Sequence, residues 1–226
     1  LKNNGIMKHL ERFQKILNIA TRFGWIRQNP FVFYQLKFEE YDSHFLEFNE
    51  LETIKSTDFK DSGLNLARDM FVFACYTGLS YIEVKLLKND GIITGIDGQE
   101  WINVKRKKTK TPVKVPLLDE AKEILEKYSD YSDLKNDYTL LPILANQTMN
   151  RYLKTIAQKA GIKKHLTFHV ARHTFATTIT LLNNVPLETV SKLLGHTKLS
   201  TTQRYARVVE KKISNDFSKL KSVLKT

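Results

Sequence analysis

Cysteine is nearly absent: Cys75 stands alone among 226 residues, which excludes a disulfide within the chain and any cysteine-rich metal site. Cys75 lies in the apolar run Met70-Phe71-Val72-Phe73-Ala74-Cys75-Tyr76, the setting of a buried small hydrophobe rather than of a reactive thiol. No apolar stretch approaches the length of a membrane span, and the first residues lack the pattern of a signal peptide, so a cytoplasmic protein without membrane contact is expected. There is no internal repeat and no low-complexity tract. An initiator Met is missing too: the chain opens on Leu1 and moves at once into a helical pattern, as expected of a fragment of something longer. Acidic residues are also in deficit, 24 against 36 Lys and Arg, which leaves a net charge of +12 and a pI near 9.6. A polyanion is the natural partner for that excess, because each cation that neutralises a phosphate releases condensed counterions.

What is present suffices for one full-sized domain and a smaller piece, with 42% hydrophobic residues to build a core. Apolar Ile6, Leu10, Phe13, Ile16, Leu17, Ala20 and Phe23 recur at helical spacing, so a helix is predicted from about Ile6 to Ile26, closed by Asn29-Pro30. The charged stretch from Lys37 to Ser43 reads as a linker. Helices are predicted over Glu47 to Thr57 and over Leu64 to Tyr76, the second apolar enough to be buried and ended by Gly78. Ser80-Tyr81-Ile82-Glu83 has the S-x-x-E form of a capping box opening the next helix. Between Gly91 and Leu117, β-branched residues and turn signals replace helical spacing and predict a small antiparallel sheet. Its second hairpin tip, Lys105-Arg106-Lys107-Lys108-Thr109-Lys110, places five cations in six residues. Further helices are predicted over Leu118 to Tyr128, Asn146 to Ala160, Phe168 to Asn183, Leu187 to Leu194, Thr201 to Val208 and Ser214 to Leu224. The fold class is therefore mainly α with one small antiparallel β-sheet.

The sharpest local signal is Thr167-Phe168-His169-Val170-Ala171-Arg172-His173-Thr174. His169 and Arg172 are three apart at a helix start, share a face, and can meet an anion there. His169 and His173 do not form a zinc-hydrolase pair, because the residues between them are Val-Ala-Arg and lack the glutamate of H-E-x-x-H; no metal site is expected. Leu193-Leu194-Gly195-His196 then ends a short helix at glycine, and Tyr205 follows nine residues after His196.

With H-x-x-R, L-L-G-H and a tyrosine nine residues on, in that order, the sequence resembles the tyrosine recombinase, or phage-type integrase, family over roughly residues 40–226. Residues 1 to about 36 resemble the final helix and exit of that family's core-binding domain. The resemblance implies a division into residues 1–38, the end of a helical DNA-binding domain and its linker, and 39–226, a catalytic domain with a tail helix. It implies a metal- and ATP-independent enzyme, needing no cofactor, that cuts and rejoins double-stranded DNA through a 3′-phosphotyrosine to integrate or excise a mobile element. Carried over residue by residue, Tyr205 is the nucleophile, Arg172 a phosphate-binding arginine, His169 a proton-transfer group and His196 a second phosphate ligand. Lys108 resembles the mobile catalytic lysine, with Lys107 and Lys110 close enough to compete for the role; Arg106, Lys107 and Lys110 are expected to bind DNA, and His173 to support the site. The apolar stripe Ile213, Phe217, Leu220, Val223 and Leu224 implies a tail that docks on a neighbouring protomer in a homotetrameric synaptic complex, the isolated protein being compatible with a monomer.

The chain departs from the family at one place. Where most members read T-G-L-R, with the first catalytic arginine, this chain reads Thr77-Gly78-Leu79-Ser80, a serine shared with some integrases of mobile conjugative elements. Glu83 matches the family's acidic position and should buttress the site. Arg68, twelve residues before Ser80, is the leading surrogate for the missing arginine, with Arg106 and Arg151 as the others. Two other readings remain: a catalytically degraded relative kept for DNA binding, and a type IB topoisomerase, which relaxes supercoils without exchange between defined sites.

Overall fold

The computed structural model describes residues 1–39, 44–130 and 139–206, together with Phe217 and Lys221. The chain divides into two compact units, Leu1–Asp42 and Ser43–Thr226.

In the first unit, α1 (Asn3–Arg22) is the amphipathic helix that the apolar spacing predicts. It stops before Ile26 because Gly24 takes a positive φ of 72°. The Trp25 amide then bonds to the Ala20 carbonyl at 2.9 Å and the Gly24 amide to that of Thr21 at 3.0 Å, the paired bonds of a glycine-ended helix. The chain turns at Asn29, whose side chain donates to Asn18 at 2.6 Å and accepts from the Phe31 amide at 2.8 Å. It returns along the helix, where Asn3 and Asn4 hold the carbonyls of Lys37 and Glu39 at 3.0 and 2.8 Å. Lys37 to Glu39 are thus tied to α1; the rest of the expected linker, 40–43, lies outside the described residues.

The second unit is organised on α3 (Ser62–Thr77), preceded by α2 (Phe48–Ser56). Asp61 caps α3 by accepting from the Gly63 amide at 2.7 Å, and every residue from Ala67 to Thr77 is buried. A fully buried aliphatic or aromatic side chain contributes about 1.5–3 kcal/mol, so Met70, Phe71 and Phe73 make α3 the principal source of stability. Around it pack α5 (Asp119–Lys127), α6 (Asn146–Lys159) and α7 (Phe168–Thr174). The short α4 (Tyr81–Lys85) leads to the sheet of β1 (Ile92–Thr94), β2 (Glu100–Lys105) and β3 (Pro112–Pro116). The strands pair antiparallel in chain order, with Ile102 opposite Ile92 on one side and Val115 on the other.

The long helix expected over Phe168 to Asn183 is not uniform. After α7 it widens over Phe175–Thr180 into a π-turn and tightens over Leu181–Asn183 before Asn184 reverses it at φ 63°. The Leu46 amide donates to Thr174 Oγ1 at 3.0 Å, while the Thr178 hydroxyl donates to the Leu46 carbonyl, so the start of this unit is bonded to the widened stretch. Two more helices follow among the described residues, α8 (Leu187–Leu193) and α9 (Leu199–Ala206). Most of the expected tail helix lies outside the described residues; Phe217, within it, is exposed.

Gly78 ends α3 in the left-handed region at φ 66°, and a Cβ there would come within 2.5 Å of the Phe175 ring. Gly78→Ala combines about 1–2 kcal/mol of backbone strain with overpacking against Phe175. A destabilisation of about 2–4 kcal/mol is expected, read as a lowered midpoint in urea unfolding.

Candidate active site

The ends of α3, α4, α7 and α8 and the β2–β3 hairpin converge on an open cleft of about 520 Å³. Its walls include Ser80 and Glu83 from the cap and first turn of α4, His169 and Arg172 from α7, Gly195 and His196 after α8, and Arg106, Lys107 and Lys108 from the hairpin.

Arg172 is held by backbone oxygens left unpaired at helix ends. One terminal nitrogen donates to the Gly78 carbonyl at 2.9 Å; the other donates to the Leu194 carbonyl and lies 3.2 Å from His196 Nε2. A guanidinium only donates, so His196 Nε2 accepts, and the ring proton sits on Nδ1, which donates to Thr202 Oγ1 at 2.8 Å. Burial pushes the Arg172 guanidinium down to about 10, still charged near neutrality. Burial, then the charges of Arg172 and Arg106, push His196 down to about 4, so its ring is neutral.

Tyr205 reaches the same site from α9. Its ring lies parallel to His196 with centroids 6.3 Å apart and tilts against His173 at 5.2 Å. Burial raises the phenol above its ordinary value, against the pull of the Arg172 and Arg204 charges. His169 stands at the rim, exposed yet crowded by its neighbours, and its ring meets His173 edge-on at 4.5 Å. Partial desolvation, followed by the charges of Arg172 and Arg204, lowers its pKa. His173 lies between His169 and Tyr205 with Nδ1 buried and unpaired; burial first, then neighbouring charge, brings it down to about 3.

These depressed values carry a pH prediction. In the unfolded chain a histidine titrates near 6.5, whereas His196 and His173 stay neutral in the fold down to about 4 and about 3. Below about pH 6.5 the unfolded state takes up protons that the folded state refuses, so stability falls as pH drops from there towards 4 and levels off beneath the folded values. Urea melts across that window check the sign.

Ser80 and Glu83 form the expected capping box: the Ser80 amide donates to Glu83 Oε2 at 2.8 Å, and the Ser80 side chain accepts in return from the Glu83 backbone. The same carboxylate oxygen takes an ion pair from Arg106. Burial works to raise Glu83, but the Arg106 charge and the Ser80 amide hold it below the usual carboxylate range.

Two placements correct the sequence reading. Arg106, expected among the exposed DNA-binding cations of the hairpin tip, is 4% exposed and turned inward, while Lys107, Lys108 and Lys110 are exposed. Strand alternation is the reason: Ile102, Val104 and Arg106 share the inner face. Arg68, the leading surrogate, does not reach the cleft. It donates to Asp69 Oδ1 at 2.8 Å and to the Thr57 carbonyl, in a network that Asp69 extends to Lys127 at 2.7 Å and Tyr128 at 2.8 Å. The site lies at the Gly78 end of α3, and ten residues of helix put Arg68 about 15 Å back along the axis. Arg151 is exposed on α6, beside the Tyr152 ring.

Sequence reasoning passed over Thr202, fully buried and orienting His196, although its position three residues before Tyr205 on one helix face was a usable signal. The Leu193 and Leu194 carbonyls and the close packing at Gly195 had none. Among the described residues no group of three His, Cys, Asp or Glu side chains could hold a metal ion, and no helix is long and apolar enough to cross a membrane.

Comparison with known proteins decides the family. Residues 44–212 match the phage integrase family, and residues 1–38 match the phage integrase SAM-like domain. The chain belongs to the phage integrase family. Tyrosine recombinase XerD of Listeria monocytogenes serotype 4b (strain F2365) is 31% identical over 182 residues, which cover 75% of this chain and 60% of that protein. Tyrosine recombinase XerA of Pyrococcus furiosus is 40% identical over 107 residues, covering 44% and 35% respectively. This integrase-family chain thus spans 60% of the length of the XerD protein it matches. It shares its chain fold with lambda integrase, solved as a dimer bound to a COC′ core site, with TM-score 0.67 at 19% identity, covering 89% of this chain and 71% of that one. The Tn1549 transposon integrase in complex with circular intermediate DNA gives TM-score 0.65 at 17% identity, covering 91% and 75%.

Proposed function

We propose that this chain is the catalytic part of a site-specific DNA recombinase that integrates or excises a mobile element through a 3′-phosphotyrosine intermediate. The observation that carries the reading is Tyr205 packed against the chain's own His173 and His196, with the charge of the half-buried Arg172 acting on its phenol. Ser80 favours the mobile-element branch of the family, and the fold shared with the Tn1549 integrase is compatible with it.

In this reading the scissile phosphate enters between Arg172 and the hairpin. Tyr205 Oη attacks phosphorus in line and the bond to the 5′-oxygen breaks. The phenolic proton passes to His169, and Lys108 gives a proton to the departing oxygen. One phosphate ester replaces another, so the reverse attack by a free 5′-hydroxyl reseals a strand without ATP. Charge on the non-bridging oxygens grows in the transition state, and the guanidinium of Arg172, which lines the cleft, supplies positive charge there. His196, neutral and accepting from Arg172, first orients that arginine; serving as a phosphate ligand requires the ring to gain a proton as the anion arrives. Lys107 and Lys110 neutralise flanking phosphates. Exchange of four strands implies a homotetramer on two double-stranded DNA sites in the cytoplasm, assembled with the tail, and residues 1–38 serve as the end of a DNA-binding domain.

The test is selection from duplex DNA of randomised sequence carrying a central 5′-bridging phosphorothiolate, which traps the covalent adduct because the released thiol reseals poorly. SDS-stable adducts that enrich a defined sequence support a site-specific recombinase. Adducts without sequence enrichment favour the topoisomerase reading, and binding without any adduct favours a degraded DNA-binding relative.

A further inference from the structure

We propose that Arg106, reaching inward from the base of the β2–β3 hairpin, is the second phosphate-binding arginine of this site and occupies the place that Ser80 leaves open. The proposal rests on the recombinase reading. A serine at position 80 offers a short hydroxyl, and here that hydroxyl is used to cap α4. The cleft nevertheless contains a second guanidinium.

Glu83 fixes where that guanidinium lies. One carboxylate oxygen accepts both the Ser80 amide and the Arg106 ion pair, so Arg106 is docked at the start of α4, one shared acceptor away from Ser80. Its other terminal nitrogen donates to the Leu193 carbonyl at 2.8 Å, while Arg172 donates to the next carbonyl, Leu194. Two successive carbonyls at the end of α8 therefore hold the two arginines side by side on one wall of the cleft. The turn is built for this arrangement: Gly195 sits at φ 64°, and a Cβ there would come within 2.8 Å of Arg106 Cγ and 3.0 Å of its Nε.

Arg106 is not fully satisfied. Nε is buried without a partner, and a guanidinium has five N–H donors. Among the described residues lining the cleft Glu83 is the only carboxylate, set against Arg106, Arg172, Lys107 and Lys108. A structural ion pair would need one cation for one anion; this wall carries the excess that suits a phosphodiester, whose two non-bridging oxygens accept from both forks.

The experiment uses the sequence selected above, prepared with its scissile linkage either as an ordinary phosphodiester or as a methylphosphonate, which lacks the negative charge. Arg106→Gln should lower Tyr205 adduct on phosphodiester DNA by about 10²–10³-fold, keep DNA binding within a few fold, and lose far less on methylphosphonate DNA. Arg106→Lys keeps a cation opposite Glu83 and protects the fold; it should show a smaller loss, again confined to the charged substrate. Equal losses on both substrates in Arg106→Lys, or wild-type cleavage by Arg106→Gln, overturn the proposal while leaving the recombinase reading intact. Absence of any Tyr205-dependent adduct in the unsubstituted protein overturns both.

Discussion

Tyr205→Phe should form no covalent adduct with DNA, a loss of at least about 10⁴-fold set by the limit of detection, because the atom that makes the bond is gone. The substitution removes one oxygen from a half-buried ring whose contacts with His173 and His196 are made by its aromatic faces, so the fold and the cleft should survive. The phenol donates or accepts one hydrogen bond, about 1 kcal/mol, and affinity for DNA should change by no more than several fold at fixed salt. Gel-shift and SDS-gel measurements on the same selected duplex separate the two effects. An adduct that persists in Tyr205→Phe removes Tyr205 as nucleophile, and Arg172 and His196 would then need another role.

Lys108→Ala should lower adduct formation on ordinary DNA by about 10²–10⁴-fold, the usual contribution of a positioned general acid. The reason is the leaving group. A 5′-alkoxide is a poor one and needs a proton as it departs, and the exposed Lys108 at the cleft wall has the flexible stem to deliver it. A 5′-bridging sulfur changes that demand, since a thiol such as cysteine ionises near pH 8.5 and a thiolate leaves without help. The same variant should therefore return to within about tenfold of the unsubstituted protein on the phosphorothiolate duplex. Lys107→Ala and Lys110→Ala are the discriminating controls. If these lysines neutralise flanking phosphates, each weakens binding and lowers the salt dependence by about one ion, with no rescue by sulfur. Selective rescue in Lys107→Ala instead of Lys108→Ala moves the proton donor by one residue.

Most of the described helices and the three strands were legible because each depends on local periodicity: a three- and four-residue spacing in α1, the apolar run of α3, alternation in β2 and β3. The residues of the candidate site were legible in part, where they sit close together in sequence. His169 and Arg172 share one turn, and the Ser80–Glu83 box is a local device whose bonds the structure shows. Arg68 and Arg106 were misplaced for different reasons. Counting residues back from Ser80 made Arg68 a neighbour in sequence, but ten residues of helix carry it about 15 Å from the Gly78 end where Arg172 docks. Reading the hairpin tip as a run of charge overlooked that period two, extended from Ile102 and Val104, turns Arg106 inward while its neighbours face out.

By itself, then, the amino-acid sequence determined the fold class, the order of the motifs and the identity of the family, because spacing along one chain encodes helix faces, strand faces and caps. Only the tertiary structure decided which cations meet in the cleft. The Leu193 and Leu194 carbonyls, the Glu83 carboxylate and the clearance at Gly195 come from segments more than a hundred residues apart at the extremes, Glu83 and Gly195. A buried guanidinium goes where acceptors and space coincide, and that coincidence exists only once the segments have packed.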